Sequence, residues 1–85
     1  MLTEEINIRD PFVLKWNDTY YLYGTRGATC WGEADGFDVY VGNDLKHWDG
    51  PIVCFQKPDG FWSDRNYWAP EVYAVGGAFY MFASF

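Results

Sequence analysis

Positive charge is scarce in this sequence. Lys and Arg number 6 against 12 Asp and Glu, and the formal net charge is −6. Nucleic-acid affinity rests on clustered Lys and Arg set against phosphates, so no nucleic-acid partner is expected. No apolar run approaches the roughly 20 residues a membrane-spanning helix needs, so no membrane partner is expected either. The opening residues Met1-Leu2-Thr3-Glu4-Glu5 carry neither a basic segment nor an apolar one. They do not read as a signal peptide, and a cytoplasmic location is the expectation. Cysteine is limited to Cys30 and Cys54, far apart, with His47 the single histidine. That set lacks the paired spacing of a zinc site, so no metal site and no cofactor are expected, and both cysteines read as reduced and packed.

What the chain has in quantity is aromatic surface. Five Trp, seven Tyr and seven Phe make up 22% of its 85 residues. A chain this short buries only a modest share of its surface. So much large apolar surface implies that it packs against more protein, as one part of a larger fold.

The pattern along the chain is that of strands. Asp10-Pro11-Phe12-Val13-Leu14-Lys15-Trp16 reads as a strand with its proline at the start, where no ladder donor is missed. Proline disfavours the right-handed helical region for the residue before it, so Asp10 is expected to be extended. Strict alternation then gives Asp10 the parity of Phe12, Leu14 and Trp16, a carboxylate at the mouth of a buried face. Taken alone, Asp-Pro is also a common turn dipeptide. Asn17-Asp18 suits a two-residue hairpin turn. Thr19–Thr25 follows as a strand apolar on both faces. Phe37–Val41 alternates as a strand with one wetter face, and Pro51–Phe55 completes a four-stranded meander. Met1–Ile8 shows no strong pattern. Two loops, Arg26–Gly36 and Gln56–Tyr67, carry Trp31 and Trp62.

The beginning then recurs. At a constant offset of 59, Pro11 falls on Pro70, Val13 on Val72, Tyr21 on Tyr80 and Thr25 on Ser84, and the turn returns as Gly76-Gly77. A four-stranded unit repeating at this scale is the sequence sign of a β-propeller blade. The fold class is therefore all-β. The chain, 1–85, is expected to be the N-terminal portion of a propeller, with blade one over about 9–56 and blade two beginning over about 67–85. A free-standing sandwich is disfavoured, because it would leave Ala78–Phe85 as a bare hydrophobic edge.

Three motifs stand in this frame: Arg9-Asp10-Pro11-Phe12 before a Tyr-rich hairpin, Asn43-Asp44-Leu45-Lys46-His47-Trp48, and Trp68-Ala69-Pro70-Glu71-Val72 opening the second unit. In this order and spacing the chain resembles glycoside hydrolase family 43. Those enzymes are five-bladed propellers that remove arabinose and xylose from plant polysaccharides. The resemblance implies an inverting glycosidase acting on arabinofuranosyl or xylosyl linkages, with a carbohydrate substrate. It also implies Asp10 as the general base, in carboxylate form. A pKa-tuning Asp and a general-acid Glu would come from later blades, outside this chain. Five units of this length make about 295 residues, so roughly seven-tenths of the expected domain lies elsewhere and the chain alone is expected to be inactive.

Inverting glycosidases set base and acid about 6.5–9.5 Å apart, on opposite sides of the sugar, with room for the attacking water. Strand starts gathered around a propeller axis can supply such carboxylates from separate blades. Glu71 aligns with Phe12 rather than Asp10, so it reads as a substrate contact. Trp31, Trp62 and Trp68 read as candidate substrate-binding indoles, able to stack on a sugar's C–H face, or else as inter-blade packing. Trp48 reads as packing and His47 as a surface residue. A structural calcium is possible in the full domain. Competing readings are a non-catalytic carbohydrate-binding propeller, a truncated remnant, and a fructan hydrolase of family 32. The last places Asn-Asp-Pro in blade one, where this chain has Arg9.

Overall fold

The computed structural model describes all residues, 1–85. Six strands form two antiparallel sheets: β1 (Ile8–Trp16), β2 (Thr19–Arg26), β3 (Gly36–Gly42), β4 (Asp49–Gln56), β5 (Trp68–Val75) and β6 (Ala78–Ser84). The first sheet is the meander β1-β2-β3-β4 and the second is the pair β5-β6. Only two single turns of 3-10 helix, Thr3–Glu5 and Gly27–Thr29, interrupt this all-β structure. The molecule measures 36 × 34 × 18 Å.

The repeat read from the sequence is a repeat of hydrogen-bonded register. Arg9 opposes Thr25 as Trp68 opposes Ser84, and Phe12 opposes Tyr23 as Glu71 opposes Phe82, every pair shifted by 59. The turns match too. Asn17 and Asp18 take φ of 49° and 62°, and Gly76 and Gly77 take 58° and 82°. Positive φ at both central residues is the two-residue turn whose twist suits a hairpin.

Two expectations about exposure change. The alternation of Phe37–Val41 puts Tyr40 with Asp38 on the wetter face of β3, yet it is buried with Leu22 and Trp48. The reason is the first eight residues, which are not a patternless leader. Thr3 donates its backbone N–H to the Lys46 carbonyl at 3.0 Å, and the Trp48 indole N–H donates to Thr3 Oγ1 at 2.9 Å. This lays Ile6 and Ile8 over the outer face of the meander. The inner face carries Tyr23 and Val39, which pack with Val72 of the second sheet. β2 is thus covered on both sides, as its two apolar faces require. Cys54, for its part, is exposed rather than packed, while Cys30 is buried, and both are free thiols.

The larger correction is at Asp10, which is not extended. Its φ is +51°, and the register slips between Arg9 and Phe12. Asp10 and Pro11 together form a bulge. The bulge suits Pro11, which has no N–H to give the ladder, and the local break in alternation re-aims Asp10. Proline does keep the preceding residue out of the right-handed helical region, but the left-handed region is taken in place of the extended one. Ala69, before Pro70, repeats this with φ +51° and a slip between Trp68 and Glu71. Asp tolerates the left-handed region and alanine does so poorly. Ala69→Gly is therefore expected to raise stability by about 0.5–1 kcal/mol, read as a higher urea midpoint at unchanged slope. A lower midpoint would show that no strain resides there.

Candidate active site

The two bulges face one cleft. It has a volume of about 240 Å³ and is lined by Arg9, Asp10, Thr25, Cys30, Trp31 and Trp68. Asp10 enters from the start of β1, on the solvent side. Its Oδ2 accepts a hydrogen bond from Thr25 Oγ1 at 3.0 Å. Thr25, at the end of β2, is 1% exposed. Its Oγ1 in turn accepts the backbone N–H of Ala69 at 2.8 Å.

Two indoles make the wall. Trp68 begins β5, and its Nε1–H donates to the Cys30 carbonyl at 2.6 Å. Trp31 meets it edge-on, with ring centroids 5.5 Å apart and planes at 76°. Trp31 is 74% exposed, so most of its ring is free to meet a ligand. A carboxylate beside apolar ring surfaces suits a sugar, whose hydroxyls donate to the carboxylate while its C–H faces stack on the rings.

Arg26, next in chain after Thr25, fixes the end of β2. It holds Asp38 with two bonds, at 3.1 and 2.8 Å, and Asp35 with one at 2.8 Å. Burial works against the guanidinium's charge, but the bonds to Asp38 and Asp35 outweigh it and raise its pKa. The cation therefore stays within its pairs, and these hold the strand that carries Thr25.

Sequence reasoning placed Asp10, Trp31 and Trp68 in the site, and the fold brings these three together. It does not bring Trp62 or Glu71 to them. Trp62 packs against Phe61 and Phe85, with centroids 5.5 Å apart in each case, and lines a different part of the surface. Glu71 lies on the face of β5 turned away from the first sheet, and its Oε1 accepts the Tyr73 hydroxyl at 2.6 Å. That bond to the carboxylate holds the Tyr73 phenol above its ordinary range. The reason is register: Glu71 repeats Phe12, and since Phe12 faces the second sheet from the first, the same position in the second sheet faces away from the first. Arg9, Thr25 and Cys30 were not proposed as site residues. For Thr25 a signal existed, since Ser84 keeps a hydroxyl at the same place in the repeat. Trp48 is buried and His47 is exposed, its ring 2.7 Å from Asp44, as expected. Within residues 1–85 no three His, Cys, Asp or Glu side chains converge as metal ligands.

The family model for glycosyl hydrolases family 43 matches residues 5–85. The chain belongs to that family. It is 25% identical over 88 residues to the extracellular exo-alpha-(1->5)-L-arabinofuranosidase ArbA of Cellvibrio japonicus, covering 95% of this chain and 23% of that protein. The structure superposes on an endo-arabinase from Bacteroides thetaiotaomicron VPI-5482 with a TM-score of 0.83 and 29% identity, over 100% of this chain and 28% of that one. A thermostable family-43 glycoside hydrolase gives 0.66 and 29%, over 95% and 26%. The chain thus spans about a quarter of the length of these family 43 relatives. The all-β propeller class read from the repeat holds, with a four-stranded blade followed by the first two strands of the next. The cytoplasmic expectation finds no support, since the arabinofuranosidase is extracellular by name.

Proposed function

We propose that this chain is the N-terminal part of an inverting glycosidase acting on arabinofuranosyl linkages, with Asp10 as its general base. One observation carries the reading. A carboxylate stands at a strand mouth, anchored through one oxygen by a buried hydroxyl, in a cleft walled by Trp31 and Trp68. In this reading a water on the base side attacks the anomeric carbon and gives its proton to Asp10 Oδ1. The bond from that carbon to the leaving oxygen breaks, and the oxygen is protonated by an acid from a later blade. Trp31 and Trp68 hold the sugar's C–H face. The names of two relatives favour arabinose over xylose as the sugar. Trp62 and Glu71 take no part in this reading, because neither lines the cleft.

The proposal makes a prediction about this chain alone. With one carboxylate of the three required, the 85-residue polypeptide is expected to release no 4-nitrophenol from 4-nitrophenyl α-L-arabinofuranoside. A longer polypeptide that completes the propeller is expected to release it, and faster than from the β-xyloside. Turnover by the 85 residues, purified from a host lacking glycosidases, would overturn the division of the site among blades. Sugar binding without turnover by the complete domain would favour the carbohydrate-binding reading.

A further inference from the structure

We infer that Thr25 is a positioning residue for Asp10, tying the orientation of the base to the junction between the first blade and the second. The inference rests on the reading of Asp10 as base. Its physical core is the direction of the hydrogen bonds. The Ala69 backbone N–H can only donate, and it does so to Thr25 Oγ1 at 2.8 Å. That takes up a lone pair of the hydroxyl and leaves its single proton for another acceptor. The acceptor is Asp10 Oδ2 at 3.0 Å. An ionised carboxylate can only accept, so the chain from Ala69 through Thr25 to Asp10 runs one way.

The consequence lies at the other oxygen. With Oδ2 committed to Thr25, Oδ1 keeps its lone pairs for the attacking water. Thr25 is almost wholly buried, and its branched side chain has restricted χ1 freedom. Both bulges contribute. The left-handed turn at Asp10 points the carboxylate at Thr25, and the slip at Ala69 frees a backbone N–H from the β5–β6 ladder. The repeat separates the two duties of the hydroxyl. Ser84 stands where Thr25 stands, but the residue at the place of Asp10 is Ala69. A hydroxyl at this position is therefore not confined to units that carry a carboxylate, and joining blades is the alternative role to be tested.

The test is a cycle in the complete domain: Thr25→Val, Thr25→Ser, Asp10→Asn and the pair Asp10→Asn with Thr25→Val, each measured for kcat, KM and thermal midpoint. Thr25→Val keeps the shape and removes the hydroxyl. It is expected to lower kcat by about 10–10²-fold, the scale of a misplaced catalytic group, with KM within about threefold. Thr25→Ser should restore kcat to within about threefold of the parent. In the Asp10→Asn background, Thr25→Val should cost less than about twofold more, because the group it positions is already disabled. Parental kcat with a lowered thermal midpoint would make Thr25 a blade-joining strut and overturn the inference. An equal loss of kcat in both backgrounds would overturn it too. If Thr25→Val does not fold, Thr25→Ala takes its place, and failure of both to fold would assign the residue to packing alone. Near-parental kcat in Asp10→Asn by itself would instead sink the base reading.

Discussion

Asp10→Asn in the complete domain is expected to lose about 10²–10⁴ in kcat, the usual worth of a general base. The fold should be untouched, for reasons visible in the backbone. Asp10 sits at φ +51°, and asparagine tolerates that region as well as aspartate does. Its amide oxygen can still accept the Thr25 hydroxyl, which keeps the buried relay to Ala69 satisfied. What is lost is the second carboxylate oxygen, replaced by an amide nitrogen that cannot take a proton from water. Substrate binding should change far less than turnover, since the interaction lost is one made in the transition state. Proton NMR of the parent reaction supplies the second half of the test. An inverted anomer as first product fits a base acting through water. A retained anomer would make Asp10 a nucleophile candidate, and a near-parental kcat in the amide variant would reduce it to a turn residue.

Much of this architecture was legible because the repeat is written in register as well as in residue type. Pro11 and Pro70 mark the bulges, while Asn17-Asp18 and Gly76-Gly77 mark the hairpin turns and fix the pairing. The bulge was not legible. Alternation predicted the side on which Asp10 lies by counting residues, whereas the chain inserts one and recovers the face through a left-handed turn. Proline's exclusion of one backbone region was read as a choice of the extended one, and two options had remained. The cleft was legible in part for a related reason. Trp31 and Trp68 stand out as large aromatics near a strand start. Thr25 is an ordinary strand residue until the hydroxyl is seen to lie between a carboxylate and a freed N–H. Glu71 misled by chemistry, since a carboxylate two residues into a strand suggests a site. Its place in the repeat, over Phe12, says that it faces the other way.

Phe37→Ala is expected to destabilise the fold by about 3–5 kcal/mol, the cost of removing a fully buried phenylalanine. Phe37 is 0% exposed, and its ring lies 6.3, 5.7 and 6.1 Å from the rings of Phe55, Tyr67 and Phe85. Those partners come from β4, from the residue before β5 and from the end of the chain. One side chain therefore joins the last strand of the first sheet to the start of the second. Tyr67 is followed by Trp68 and Ala69, the wall of the cleft and the donor that holds Thr25. Loss of the ring should loosen that segment first, so KM should rise in the surviving folded fraction before the global transition is reached. Asp59→Ala is the control. Asp59 lies exposed in the loop after β4, and removing its side chain should cost no more than about 0.5 kcal/mol. Urea titration of both variants in the complete domain measures the difference. Equal midpoints would show that the second blade is held by the sheet faces around Val72 alone, and that the aromatic cluster around Phe37 adds nothing to the junction on which the cleft is built.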